Sequence, residues 1–159
     1  MRLLKTDSES GYNACMNDVD FFNQMLMPAV DEFSQHPGDI RLGTQACQWI
    51  QNMCDHYFYH NQSDSLKVDS CTNRDQFRAT IRKTDWATEQ VMLIANGTKH
   101  ARSRFFDLHL ERPGVCGIMR CGFPMSTAHY VFIDEENAWL LYQLTEYVAK
   151  GWSQRLGLS

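Results

Sequence analysis

The chain has 159 residues, a formal net charge of −4, 43% hydrophobic and 21% charged side chains. That length suits one domain, which buries roughly 70% of the surface its unfolded chain exposes, and the composition excludes a fibre or wholesale disorder. The longest apolar runs fall far short of the roughly 18 residues a membrane-spanning helix needs. The acidic balance excludes a chain coated in positive charge, though not a local basic patch.

Six cysteines, eight methionines and four tryptophans make the sequence rich in soft and aromatic side chains. The first ten residues hold no apolar stretch of the roughly 7–15 residues a secretory leader needs, so a cytoplasmic location is expected. In a reducing cell Cys15, Cys47, Cys54, Cys71, Cys116 and Cys121 read as free thiols rather than disulfides. No Cys-x-x-Cys occurs, and Cys116 and Cys121 fall on opposite faces of an expected strand.

From Gly11 to Phe33 a helical stripe recurs at steps of three and four: Tyr12, Cys15, Val19, Phe22, Leu26, Ala29, Val30 and Phe33. Ser8 or Ser10 is the expected N-cap, Pro28 should kink or split the helix, and His36-Pro37-Gly38 closes it. A second helix is expected over Ile40 to His60, with Leu42, Ala46, Trp49, Ile50, Met53, Cys54 and Tyr57 inward and Gln48, Asn52 and Asp55 opposite. The polar stretch to Asn73 reads as a loop with a short turn. A short helix over Arg74 to Lys83 follows, carrying Phe77 and Ile81. Thr84 or Asp85 should cap the next helix, which extends to about Ala101 with Ala87, Val91, Ile94, Thr98 and Ala101 inward.

After Ser103 the hydrophobic period changes to two. Phe106, Leu108 and Leu110 alternate with Asp107, His109 and Glu111, which marks a strand. Arg112-Pro113-Gly114 makes a turn, Val115 to Cys121 a second strand and Ala128 to Ile133 a third. Asp134 should cap a final helix with Leu141, Leu144, Val148 and Trp152 inward, ending at Gly157. The expected class is mainly α (α+β): a bundle of about four helices, a small antiparallel sheet of two to three strands and a closing C-terminal helix. All of 1–159 is expected to be one domain, divided into a bundle over 8–101, a β-meander over 103–133 and a helix over 134–157.

Histidines end two of the long helices. If those helices run parallel, His60 and His100 converge and form a polar binding pocket with Asn96 and Lys99. Otherwise each imidazole merely complements a helix dipole. A metal held by His56, His60 and a cysteine is a further option from the i, i+4 spacing. Arg74, Arg78 and Arg82 form a ridge spaced by four, which either tracks a phosphate backbone or an acidic partner surface or is a solvated face. The carboxylates of Asp18, Asp20, Asp31 and Glu32 read as solvated charge on the outer parts of the first helix. No phosphate-cradling glycine motif, His-Glu-x-x-His or Gly-x-Ser-x-Gly occurs, and no cofactor is implied.

The run Arg104-Phe105-Phe106-Asp107-Leu108-His109 has the Arg-x4-His spacing of the ribonuclease signature of the HEPN superfamily. In that signature the arginine holds a phosphate and the histidine acts as acid or base on a 2′-hydroxyl. Here the run reads as a strand, which sends Arg104 and His109 to opposite faces. Ile94-Ala95-Asn96-Gly97-Thr98-Lys99-His100, after an aromatic-rich helix over Trp49 to His60, resembles a set of bacterial and phage proteins with a HEPN-like helical body. The resemblance spans about residues 40–156 and rests on that one motif. It implies a helical fold and almost nothing of function, although the HEPN superfamily as a whole includes toxin and defence ribonucleases and non-catalytic members that bind partners. The residues themselves point to non-enzymatic binding of a protein or small ligand near His60, Asn96, Lys99 and His100, with a metal-independent ribonuclease acting through Arg104 and His109, or through His60 and His100, as the alternative.

Overall fold

A computed structural model describes residues 16–62, 68–99, 110–111, 129–132 and 138–158, and these are mainly helical. The expected strands over 106–109 and 115–121 lie outside the described residues, as do Cys15, Cys116 and Cys121.

The first helical stretch consists of α1 (Asp18–Phe21), a π-helical segment (Phe22–Leu26) and α2 (Met27–Gln35). Asn17 caps it, its side chain accepting from the Asp20 N–H at 2.7 Å. Pro28 lacks an N–H and would leave an α-register carbonyl unpaired. The chain answers with a widened turn, in which the Met27 N–H bonds the Phe22 carbonyl five residues back and Pro28 falls in the first turn of α2. The extra residue in that turn brings Phe21 as well as Phe22 onto the buried face.

Asp39 caps α3 (Ile40–Asn61), accepting from the Arg41 N–H at 2.9 Å and pairing with the Arg41 guanidinium at 2.6 Å. This helix is the axis of the described structure, since every other described helix touches it. A single inward stripe therefore understates its burial: Cys47, Gln51 and Phe58 are covered along with Ala46, Ile50, Met53 and Cys54. The side expected to face solvent through Gln48, Asn52 and Asp55 is half-buried instead, and Asp55 receives α4.

A tight turn at Val68–Cys71 places Asp69 (φ 48°) and Ser70 (φ 63°) in the left-handed region, the geometry of a type I′ turn. Asn73 then caps α4 (Arg74–Arg82), which buries Phe77 and Ile81. Asp85 caps α5 (Trp86–Lys99) by accepting from the Thr88 N–H at 2.8 Å and the Thr88 hydroxyl at 3.0 Å. Ala87, Val91, Met92, Ile94 and Ala95 are buried beneath it.

Three short strands, β1 (Leu110–Glu111), β2 (Tyr130–Phe132) and β3 (Ala138–Leu140), pair antiparallel in the order β1-β2-β3. The last helix, α6, covers Leu141–Arg155, so the expected start at Asp134 is wrong by seven residues. Residues 138–140 are held extended by pairing with β2, Trp139 opposite Val131, and a helix cannot begin until that pairing ends. No side chain caps α6. Its other end has a left-handed Gly157 (φ 71°), with the Leu158 N–H on the Ser153 carbonyl and the Gly157 N–H on that of Gln154, a Schellman closure. One apolar cluster runs from Phe21 through α3 to Trp152.

Candidate functional site

His60 lies at the exposed end of α3, and the structure gives it a carboxylate. Its Nε2 is 3.6 Å from Oδ1 of Asp18, which is only 6% exposed. Asn61 donates its amide to the other oxygen, Oδ2, at 2.9 Å. The reading of Asp18 as solvated charge is thus corrected: α1 presses this carboxylate against the C-terminus of α3, where Asn61 and His60 replace water. Four residues earlier, His56 stacks on Phe21 with ring centroids 3.8 Å apart. Among the described residues no group of three His, Cys, Asp or Glu side chains is placed to hold a metal.

Asn96 belongs to a different neighbourhood. Its Oδ1 accepts the Gln51 amide at 2.6 Å, and Gln48 bonds Gln51 at 3.2 Å and Asn52 at 3.3 Å. Gln51 precedes His60 by nine residues, roughly 13 Å along the helix axis, so Asn96 and His60 do not share a pocket. The Lys99 side chain, His100, Arg104 and His109 lie outside the described residues.

The arginine ridge of α4 is not a free cationic face. Arg78 grips Asp55 with two N–H groups at 2.6 and 2.5 Å, and Arg74 adds a longer contact at 3.9 Å while pairing with Asp75. The Asp75 and Asp55 carboxylates beside Arg74 hold its pKa above the ordinary value. Arg82 stands 4.0 Å from Glu89, beyond hydrogen-bond reach, and its Nε is buried with no hydrogen-bond partner among the described residues. Gln51, Asp75, Arg78, Ala79, Arg82, Met92 and Asn96 line a recess of about 190 Å³ between α3, α4 and α5, in which the Asp75 carboxylate is paired with Arg74. Guanidinium and amide groups there present N–H donors to whatever enters.

Cys47, Cys54 and Cys71 are buried and free. Burial pushes the Cys47 and Cys54 thiols up to about 12, so neither is a nucleophile at neutral pH. His129 is a residue that sequence reasoning missed. It is 6% exposed, its Nε2 lies 3.2 Å from the Gly38 carbonyl, and its Nδ1 is buried with no hydrogen-bond partner among the described residues. Gln51 and Asp18 were also missed as site residues. A buried glutamine inside an apolar helix stripe is the only local signal among them.

No family model matches the chain, and no curated protein or solved structure matches it. Among the described residues no helix is long and apolar enough to cross a membrane.

Proposed function

We propose that the protein is a non-enzymatic binding protein, of the bacterial and phage kind its Ala95–His100 motif resembles. In this reading a helical bundle, a small antiparallel sheet and a closing C-terminal helix form one domain. The recess beside Asn96 holds a small ligand, or a partner's acidic side chain, through an oxyanion. One observation carries the reading: Arg82 lines the recess, and its Nε is buried with no hydrogen-bond partner among the described residues, the Glu89 carboxylate standing 4.0 Å away. An orphaned buried donor costs about 1–3 kcal/mol, and a ligand oxygen removes that cost. Arg78, held rigid by Asp55, and the Gln51–Asn96 pair frame the entering group.

The test is NMR of the arginine Nε–H resonances during titration with acetate and with inorganic phosphate. A saturating shift of the Arg82 signal, absent when Gln51→Leu closes the polar wall, is the expected result. An Arg82 signal that ignores both anions overturns the reading.

A second reading, a HEPN-type ribonuclease of toxin or defence type, gains support from His60. A half-exposed imidazole beside a buried carboxylate is the arrangement in which a general acid–base histidine is oriented. Incubation of the pure protein with structured RNA, beside His60→Ala and His109→Ala, tests it. Cleavage by the wild type that either variant loses supports this reading, and an intact substrate removes it.

A further inference from the structure

The largest cleft among those described lies between α6 and the junction of α4 and α5, away from the Asn96 recess. Its volume is about 500 Å³, within the roughly 300–1,000 Å³ of small-molecule sites. One wall is α6, where Tyr147, Gly151 and Arg155 follow at intervals of four and so lie in one row. Thr84 and Asp85 face them from the start of α5.

Gly151 is the unexplained residue in that row. It sits inside a regular helix, its φ is ordinary, and a methyl group added there would meet no atom of the described residues within 4 Å. Neither a turn nor a close neighbour requires glycine, and glycine is the poorest helix former after proline. Gly43 in α3 is the opposite case, since a methyl there would stand 2.8 Å from the Phe33 ring. What Gly151 does provide is a strip of bare helix backbone in the cleft wall, which a flat group can approach closely.

The surroundings specify the rest of the ligand. Tyr147, half-exposed and edge-on to Trp139 at 6.2 Å, offers an aromatic surface beside the bare strip. Lys150 and Arg155 bring two cations to the cleft. Lys150 has no acidic group within salt-bridge distance among the described residues, and Arg155 is steadied by Asp69 and by the Tyr57 ring 5.4 Å away. The one carboxylate in the lining, Asp85, already has both oxygens engaged by Thr88. A flat strip flanked by an aromatic ring and two cations matches a planar ring carrying a negative charge.

We infer that this cleft binds a planar aromatic anion of about mononucleotide size, the ring against Gly151 and Tyr147 and the charge toward Lys150 and Arg155. Calorimetric titration of the full chain with adenosine 5′-monophosphate and with 4-nitrophenyl phosphate tests it, with adenosine and inorganic phosphate as separate arms. Binding of at least one aromatic phosphate, tenfold or more tighter than phosphate alone or adenosine alone, is expected. Gly151→Ala should raise the melting temperature while weakening that binding at least tenfold. Lys150→Ala should weaken it similarly at unchanged melting temperature. Arg82→Lys, in the other recess, should leave it unchanged, which keeps this site's fate separate from that of the Asn96 recess. No binding by either aromatic phosphate at millimolar concentration overturns the inference, as does a Gly151→Ala chain that binds as tightly as the wild type.

Discussion

The Gln51 amide donates to Asn96 Oδ1 at 2.6 Å, joining the middle of α3 to α5 through two side chains 45 residues apart. Gln51 is 1% exposed, so this bond lies where water cannot replace it. Asn96→Leu should destabilise the fold by about 1–3 kcal/mol, because the buried Gln51 amide loses its Asn96 acceptor. Replacing both residues by leucine should recover most of that loss. Urea unfolding of the two singles and the double measures the coupling, and additive losses contradict it.

Gly43 is set against the ring of Phe33, and an alanine methyl there would also stand only 3.1 Å from Leu141 of α6. Gly43→Ala gains about 1 kcal/mol of helix propensity but overpacks a junction of three helices at a cost of about 1–3 kcal/mol, for a net loss of up to about 2 kcal/mol. Thermal melts of Gly43→Ala, Phe33→Leu and the double variant check this. The double variant should be more stable than the sum of the two singles allows.

The Arg41 side chain beside Asp39 holds that capping carboxyl below its ordinary value of 3.8. A depressed folded value means the contribution is present above about pH 4 and is lost as pH falls through the lower folded value. The stability advantage of the wild type over Asp39→Asn, whose amide still caps the helix, should therefore shrink on acidification below pH 4. Urea midpoints for both chains between pH 7 and pH 2 measure it, and a constant difference refutes it.

Cys47 and Cys54, with thiols pushed from 9.0 to about 12 by burial, should resist iodoacetamide at pH 8 and react once urea unfolds the chain. Burial favours the neutral thiol, so its contribution to stability is whole below about pH 9 and declines as pH rises toward 12. Peptide mapping by mass spectrometry identifies the alkylated positions.

The legible parts of the fold were those written in neighbouring residues. The period of three and four located α3 and α4 within a residue or two, the Asp85 cap marked the start of α5, and Gly157 marked the end of α6. Asp134-Glu135-Glu136 reads as a helix start, but strand pairing by Trp139 overrides that local preference. The candidate site was less legible, because a histidine at a helix end does not reveal its partner. Asp18 and His60 are 42 residues apart and Asp55 and Arg78 are 23 apart, and no local pattern links either pair.

By itself the sequence determined a mainly helical chain and where most of its helices run, because capping and hydrophobic period act over a few residues. It also determined that Cys47 and Cys54 fill apolar space rather than carry chemistry. Tertiary structure alone decided that α3 is the central helix, and thereby turned its polar side into a buried network. It separated Asn96 from His60, gave His60 a carboxylate, engaged Arg78 with Asp55 and left the Arg82 Nε with no acceptor among the described residues. Those outcomes depend on which helices meet and at what height, and that is set by packing around α3.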